Sequence, residues 1–293
     1  MDPMIEHSEL VCYAAIAERL IKDAENLFCQ NIGAQPSIIK NEDLQDFATD
    51  VDLSLEQQFC EQLVHETGFP VLGEEFGLQG GVDVPAAVPS FSYHPDDYPT
   101  TMWCVDPVDG TSNYAVANPM CAILVSLIHR GEPVIGMTAL PMLGKFYSAV
   151  RGGPLLVNGE AVPRLPTQDP GVIQIGFGSI LSGRRGRVPR QYRQNLLFSI
   201  GESYPRMRVT GSVGADLAFT ASGVFAGTLT FSPNWWDNAA GICLVEAAGG
   251  VVTNLNNEPW TPGTIGLVAG SPSVHSTLLS RIHAVPRPFE PLS

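Results

Sequence analysis

The stretch WCVDPVDGTSNY, residues 103–114, joins the composition of a buried strand to a pair of carboxylates. An apolar run ends at Asp106, and Asp109 follows three residues later. Pro107 fixes its own φ and biases the residue before it toward an extended conformation. The chain can therefore leave a strand here with both carboxylates, and the carbonyl of Val108, aimed at one point. This predicts a strand that ends in a group of oxygen ligands.

The residues after the second aspartate are suited to an anion. Gly110 permits a positive φ or a close approach to a ligand. Thr111 and the amides after it can begin a helix, and a helix N-terminus is a natural seat for phosphate. An Asx-type turn followed by a capped helix explains the DGT segment alone equally well, so other parts of the chain must decide.

Two further acidic groups follow apolar segments in the same way. Glu74 and Glu75 come after FPVL, and Asp237 comes after SPNWW. Burial of a charge is costly unless the charge is paired, so three such groups indicate a shared cation. Oxygen ligands without histidine or cysteine favour a hard ion, magnesium first and manganese or calcium next. Carboxylates for metal beside amides for phosphate are typical of a metal-assisted phosphate hydrolase.

Composition limits the class of protein. The 293-residue chain is 44% hydrophobic and 16% charged, and its net charge is −14. This balance argues against an extended nucleic-acid surface or a polybasic membrane patch. The N-terminus MDPMIEHSEL does not resemble a signal peptide, and no apolar run approaches the roughly 20 residues that span a bilayer. Six cysteines without a CxxC pair favour reduced thiols. We expect a cytoplasmic protein with neither nucleic-acid nor membrane partners.

Apolar periodicity and turn residues predict the elements. Helices are predicted over residues 8–28, 51–65, 212–222 and 235–250 and from about Pro272. Ser8 is predicted to cap the first of these helices, and Gly249 or Gly250 to end the fourth. Strands are predicted at 69–75, at 102–105, 121–128, 134–140 and 145–149 as an antiparallel meander, and at 224–231, 250–253 and 265–270. Residues 76–101 are predicted as a long loop, and the basic segment 182–194 as a solvated loop and helix start. The turn-rich segment 151–171 predicts a boundary between an N-terminal part, 1–150, and a C-terminal part, 151–293.

Three of these segments together resemble a known family. GEE (73–75), DPVDGTSNY (106–114) and WWDNAAG (235–241), in this order, look like the three signatures of the inositol monophosphatase family. This is the lithium-sensitive, magnesium-dependent phosphatase superfamily that also holds fructose-1,6-bisphosphatases. GSVGADLA (211–218) and EAAGGVVT (246–253) resemble family segments too, so the likeness runs from the first helix to about residue 280. It implies an α/β (α+β) fold, layered as an αβαβα sandwich.

The resemblance also implies a ligand set. Two or three magnesium ions, with manganese as the alternative, would be held by Glu74, Asp106, the Val108 carbonyl, Asp109 and Asp237, and Asp109 would bridge two of the ions. The amides of Gly110 and Thr111 would hold the phosphate.

Further roles carry over with the family pattern. Thr111 and Asp52 match the pair that orients and activates the attacking water. Glu75 would assist a metal-bound water or a ligand carboxylate without itself binding the metal. Lys40 and Asp46 fall where the family has a mobile loop that helps the weakest-bound metal, although the spacing there differs slightly.

Substrate contacts are where the chain departs from the family. Inositol monophosphatases have an acidic residue that binds ring hydroxyls at the position of Thr230, whereas Asp216 does fit a hydroxyl-binding position. The leading prediction is a phosphomonoesterase for a small polyol or sugar phosphate, inositol-1-phosphate-like. The alternatives are a fructose-1,6-bisphosphatase, a histidinol-phosphate phosphatase or a nucleotide 3′-phosphatase, and, in another class, a regulatory protein that binds partners. A homodimer is expected from the family alone.

Overall fold

The computed structural model describes residues 5–35, 37–39, 47–80, 98–167, 171–180, 188–264 and 266–287, without the side chains of residues 38, 39 and 47. Lys40 and Asp46 lie outside the described residues, as do most of the predicted loop 76–101 and the arginine-rich segment 182–187.

Seven helices occur in the described ranges: α1 (His7–Gln30), α2 (Asp50–Thr67), α3 (Thr111–Ala115), α4 (Arg190–Gly201), α5 (Val213–Ala221), α6 (Trp235–Ala247) and α7 (Pro272–His283). The strands are β1 (Ile38–Ile39), β2 (Phe47–Ala48), β3 (Val71–Gly73), β4 (Gly77–Gln79), β5 (Thr101–Asp109), β6 (Ala122–His129), β7 (Glu132–Leu140), β8 (Lys145–Val150), β9 (Leu156–Val157), β10 (Glu160–Ala161), β11 (Ile175–Phe177), β12 (Met207–Arg208), β13 (Gly227–Thr230), β14 (Val251–Thr253) and β15 (Leu267–Gly270). No helix among them is long and apolar enough to cross a bilayer.

Two large sheets organise the strands. The first has the order β10-β9-β8-β7-β6-β5-β3-β4, and the second the order β12-β11-β13-β15-β14. Strands β5 to β8 form the predicted antiparallel meander, which is confirmed, and β3 joins β5 in parallel. The first sheet ends at Ala161 and the second begins at Ile175, so the change of sheet falls around the turn-rich segment 151–171.

The sheets and helices stack in five layers. Helices α1 and α2 cover one face of the first sheet, α5 and α6 lie between the sheets, and α4 and α7 cover the far face of the second sheet. Three apolar cores fill the interfaces, represented in chain order by Phe59 with Trp103, Leu124 with Leu244, and Leu196 with Leu278. The predicted αβαβα sandwich is confirmed.

Helix α6 lies in the middle layer and, like α5, packs against strands of both sheets. Its small residues allow close packing: a methyl group added at Gly136 of β7 would come within 2.4 Å of the Ala240 carbonyl oxygen. The helix ends as predicted, with Gly249 at φ +80° directly after its cap residue Ala248. This packing fixes the direction in which the first turn of α6 points.

Several local predictions are wrong, and one of them is the loop 76–101, because β4 (Gly77–Gln79) lies within it. Helix α1 begins at His7, one residue before Ser8, and the Glu6 amide donates to the Glu9 carboxylate at 3.0 Å. Arg193, expected to be solvated, is 6% exposed in α4; its guanidinium donates to the Ser179 carbonyl at 2.8 Å and lies 4.5 Å from the Phe231 ring centre. A guanidinium can be buried this way because backbone carbonyls and an aromatic face replace part of its hydration.

Candidate active site

Strand β5 brings Asp106 and Asp109 to the same side by means of a bulge. Asp106 pairs with Leu124 and Asp109 with Ala122, so β5 advances three residues while β6 advances two. Residues three apart on a regular strand face opposite ways, and one inserted residue restores a common face. Pro107 lies within this irregularity, where a missing amide costs no ladder hydrogen bond. The predicted strand end at residue 105 is therefore wrong, since the strand continues to Asp109 through the bulge.

Asp237 joins the two β5 aspartates from the first turn of α6. One carboxylate oxygen from each of Asp106, Asp109 and Asp237 lies within 4.8 Å of the other two. The two β5 residues are buried and Asp237 is partly exposed. The structure thus assembles three of the five predicted metal-binding residues from segments far apart in the sequence.

Asp109 is oriented by the N-terminus of α5. Its Oδ2 accepts hydrogen bonds from the Gly214 amide at 2.7 Å and from the Ser212 hydroxyl, and its Oδ1 accepts one from the Val213 amide at 3.2 Å. The first turn of a helix has free amides and a positive dipole end, so it suits a carboxylate. Ser212 also caps the helix by accepting the Ala215 amide at 3.1 Å. Asp109 is thereby tied to a helix of the middle layer.

Polar neighbours hold the other two aspartates. The Ser232 hydroxyl donates to Asp237 Oδ2, and the Asn234 side-chain amide donates to the same oxygen at 3.3 Å. Asp106 Oδ1 accepts the Val108 amide at 3.0 Å, two residues ahead in the bulge. Each carboxylate is thus held by a specific contact and keeps further acceptor capacity.

The pKa values of these carboxyl groups are raised. Burial is the main cause for all three, and the charge of Glu74 adds to it. The pKa of Asp106 lies well above its ordinary value, that of Asp237 rises to about 7, and that of Asp109 rises only to about 6 because Ser212 and the α5 amides stabilise its anion. Mutual repulsion of buried carboxylates is the expected state of a cation site before the cation binds.

The chemistry of the donor set fits a hard divalent cation. The three clustered side chains offer only carboxylate oxygens, and the charges that act most strongly on Asp106 belong to other carboxylates. Magnesium and manganese prefer such ligands. A bound cation would supply the positive charge that these clustered carboxylates need.

Glu74 and Glu75 occupy the turn Glu74–Phe76, which joins β3 to β4. Glu74 is half-buried and lies outside the group of three clustered aspartates, although its charge raises their pKa values. The turn is fastened by Glu56, whose carboxylate accepts the amides of Glu75 and Phe76 at 2.9 and 2.8 Å.

Gly110 and Thr111 form the start of α3. Gly110 has φ +86°, and its carbonyl accepts the amides of Asn113 and Tyr114. The Thr111 hydroxyl donates to the Val108 carbonyl at 3.2 Å, which leaves its oxygen able to accept. The two residues proposed for phosphate therefore adjoin Asp109 directly.

Asp52 is buried in the first turn of α2. Its Oδ2 accepts the Thr49 amide at 3.0 Å and the Thr49 hydroxyl. Burial raises the pKa of Asp52, and the bonds from Thr49 oppose that rise.

The two residues expected to contact substrate hydroxyls are both enclosed. Asp216 is 2% exposed and accepts the Thr210 hydroxyl at 2.6 Å, while Thr230 is fully buried beside Asn238, with 3.4 Å between Thr230 Oγ1 and Asn238 Oδ1. Burial also raises the pKa of Asp216 well above its ordinary value.

Sequence reasoning missed Glu56, Ser212 and Ser232. Glu56 lies four residues after Asp52, the spacing that puts two side chains on the same face of a helix, and this signal was available. Ser212 precedes a predicted helix as a cap residue would. No local pattern announces that Ser232 bonds Asp237.

Comparisons with known proteins agree with this geometry. The family model described as "Inositol monophosphatase family" matches residues 9–287. The probable inositol 1-monophosphatase ImpA of Mycobacterium tuberculosis is 38% identical over 286 residues, which cover 98% of this chain and 96% of that protein. The fructose-1,6-bisphosphatase/inositol-1-monophosphatase of Aquifex aeolicus is 29% identical, with 80% of this chain and 81% of that protein covered.

Solved structures share the fold. An inositol monophosphatase from Anabaena (Nostoc) sp. PCC 7120 superimposes with a TM-score of 0.75 at 22% identity, covering 96% of this chain and 98% of that one. The family match covers nearly the whole sequence and agrees with the aspartate cluster and the layered fold. The chain therefore belongs to the inositol monophosphatase family and is a phosphoric monoester hydrolase.

Proposed function

We propose that this phosphatase is magnesium-dependent and hydrolyses the phosphate ester of a small polyol or sugar, with inositol 1-phosphate as the leading candidate. The observation that carries the metal dependence is the approach of three carboxylate oxygens, from Asp106, Asp109 and Asp237, to within 4.8 Å in a largely buried position. The relative named as an inositol 1-monophosphatase supports the substrate class.

Asp106, Asp109, Asp237 and the Val108 carbonyl would hold magnesium, with Glu74 as a further ligand from the β3–β4 turn. Bound divalent cations supply two things here: stabilisation of the charge on the phosphoryl oxygens and a lowered pKa for a coordinated water. Two or three ions are expected, and manganese is the alternative metal.

The protein's own groups would bind and orient the ester. The amides of Gly110 and Thr111 at the start of α3 would donate to phosphate oxygens. The Thr111 hydroxyl and the Asp52 carboxylate would fix the direction of the attacking water, and Asp52 would accept its proton. Glu75, beside Glu74, would assist a metal-bound water or a ligand carboxylate without itself binding the metal. In-line displacement needs no phosphorylated side chain.

Fructose 1,6-bisphosphate is the second candidate substrate, because the 29%-identical relative carries both activities in its name. Thr230 provides no carboxylate for ring hydroxyls, which weakens the preference for inositol. Asp216 is almost completely buried, so it would contribute to hydroxyl binding only after becoming accessible to the substrate.

Phosphate release is the direct test. The purified protein is assayed with magnesium on inositol 1-phosphate, fructose 1,6-bisphosphate, histidinol phosphate and a nucleotide 3′-phosphate, with lithium as inhibitor. Turnover of the inositol ester that requires magnesium and is inhibited by lithium supports the proposal. Turnover without any divalent cation contradicts the metal dependence, and a strong preference for another ester contradicts the substrate.

A further inference from the structure

We propose that Glu56 is a positioning residue: its carboxylate fastens the Glu74–Phe76 turn to α2 and so aims Glu74 at the three clustered aspartates. The inference deepens the proposed function and rests on it, because Glu74 matters there as a metal ligand.

Both carboxylate oxygens of Glu56 bind the turn. Oε2 accepts the Glu75 amide at 2.9 Å, and Oε1 accepts the Phe76 amide at 2.8 Å with the Glu75 amide at 3.2 Å. Glu56 is completely buried. These bonds occupy the carboxylate and direct it at the backbone of the turn, so Glu56 acts on the turn and is not itself one of the clustered carboxylates.

Strand β3 leaves room for this contact only because it ends in glycine. A methyl group at Gly73 would come within 2.0 Å of Glu56 Oε1 and 2.3 Å of its carboxyl carbon. The φ of Gly73 is not in the left-handed region, so the glycine is required by space and not by backbone conformation. Gly73 and Glu56 thus form one fitted contact next to Glu74.

Helix α2 gives the contact a rigid base. Asp52 and Glu56 lie four residues apart on it, and both are buried. Leu55, Phe59 and Leu63 of the same helix are fully or almost fully buried against the first sheet. Asp52 fixes the start of the helix through its hydrogen bonds from Thr49, and Glu56, one turn further on, binds the Glu74–Phe76 turn to the same helix.

The contact reaches the cluster through Glu74. Glu74 is the first residue of the turn, and after burial its charge is the strongest of the causes that raise the pKa values of Asp106 and Asp237. A turn released from α2 would let Glu74 move away from the aspartates. Metal affinity would then fall, while the groups around the phosphate would stay in place.

The test compares Glu56→Gln with Glu61→Gln. Glutamine keeps the size of the side chain but only one of the two acceptor oxygens, and it places an NH₂ group where the second oxygen accepts a backbone amide of the turn. Glu61 lies exposed on the same helix and accepts a hydrogen bond from the Gln57 side-chain amide, so it controls for a lost charge on α2. Magnesium and terbium binding are measured by calorimetry, and phosphate release is followed across magnesium concentrations.

We expect Glu56→Gln to bind magnesium about tenfold more weakly, as is typical when groups that support metal ligands are removed. At saturating magnesium its kcat should stay within about threefold of the unaltered protein, a split that general unfolding would not produce. Glu61→Gln should change neither quantity. Metal affinity in Glu56→Gln equal to that of Glu61→Gln would overturn the proposal.

Gly73→Ala tests the same contact without changing residue 56, because the added methyl group would displace the Glu56 carboxylate from the turn. It should weaken magnesium binding to a similar degree, and the double variant Gly73→Ala/Glu56→Gln should be no weaker than either single variant, because all three lose one contact. Additive losses would overturn the proposal. If Glu56→Gln fails to fold, Gly73→Ala alone provides the test, and metal affinity equal to that of Glu61→Gln would overturn the proposal. Metal binding is read without turnover, so a protein inactive on every ester would contradict the proposed function and still report on Glu56.

Discussion

Asp109 of β5 accepts a hydrogen bond from the backbone amide of Gly214 at 2.7 Å, although 105 residues separate the two in the chain. The bond joins the first sheet to a helix of the middle layer at the point where the carboxylates gather. Orientation of the central aspartate is therefore a property of how the layers pack as much as of the DPVDGT segment.

Ser212→Ala should lower magnesium affinity about 10- to 100-fold, the range typical for lost partners of metal ligands, because Asp109 loses its hydroxyl donor. The lost helix cap should also cost about 1 kcal/mol of the free energy of unfolding. Calorimetry and urea denaturation measure the two effects. Ser222→Ala, at the other end of α5, is the control, and equal metal affinity in both variants would contradict this role of Ser212.

Asp106→Asn should reduce turnover by about 100-fold or more, because a metal ligand supplies several kcal/mol of transition-state stabilisation. The metal-free variant should melt no lower than the unaltered protein, since one of several repelling carboxylates is removed. Phosphate release and thermal melting in EDTA test both parts. Asp23→Asn, an exposed change on α1, is the control. Full turnover in Asp106→Asn would remove this residue from the ligand set.

Stability of the metal-free protein should fall as pH rises from about 4 to about 7. The folded pKa values, about 6 for Asp109 and about 7 for Asp237 and Glu56, exceed their ordinary values of 3.8, 3.8 and 4.5. The folded state therefore binds more protons than the unfolded state in this range, and its advantage is lost as these groups ionise.

Magnesium should reduce this loss, because a cation stabilises the ionised carboxylates and binds the folded state. Melting temperatures from pH 4 to pH 8, in EDTA and in magnesium, give the comparison. A metal-free melting temperature that climbs steadily toward pH 7 would show that other groups dominate.

Gly110→Ala should destabilise the protein by about 1–3 kcal/mol and weaken binding of inorganic phosphate. Its φ of +86° is unfavourable for a residue with a side chain, and a methyl group there would lie 3.0 Å from the Met120 carbonyl oxygen. Gly144→Ala is the matched control: its φ is also positive, but among the described residues other than its chain neighbours none comes within 4 Å of the added methyl group. Denaturation and phosphate calorimetry should show the larger loss at Gly110.

The long periodic elements could be predicted from the sequence, and the short ones could not. Helices α1, α2, α5, α6 and α7 and the β5–β8 meander carry enough apolar residues at regular spacing to show their type. Strands such as β4 and β11 have three residues each, too few to show a period. Their pairing depends on partners elsewhere in the chain, which only the folded structure supplies.

The same division holds at the site. Asp106, Asp109 and Asp237 stand out because each follows an apolar segment, so a charge is expected at the edge of a core. Glutamate is a common residue at exposed helix positions, so its type alone does not predict that Glu56 is buried. Its partner is a turn almost 20 residues away in the chain. Pro107 suggests a strand end, and the register with β6 shows instead that the strand continues through an irregularity.

The bulge in β5 has a consequence for how the segment can vary. Side-chain changes at Pro107 or Val108 leave the number of residues between the two aspartates untouched, whereas loss of one residue would remove the bulge. The two aspartates would still share a face, two residues apart, but only one residue would remain between them in place of Pro107 and Val108. The geometry of the bulge therefore depends on the number of residues between Asp106 and Asp109 more than on the side chains of those residues.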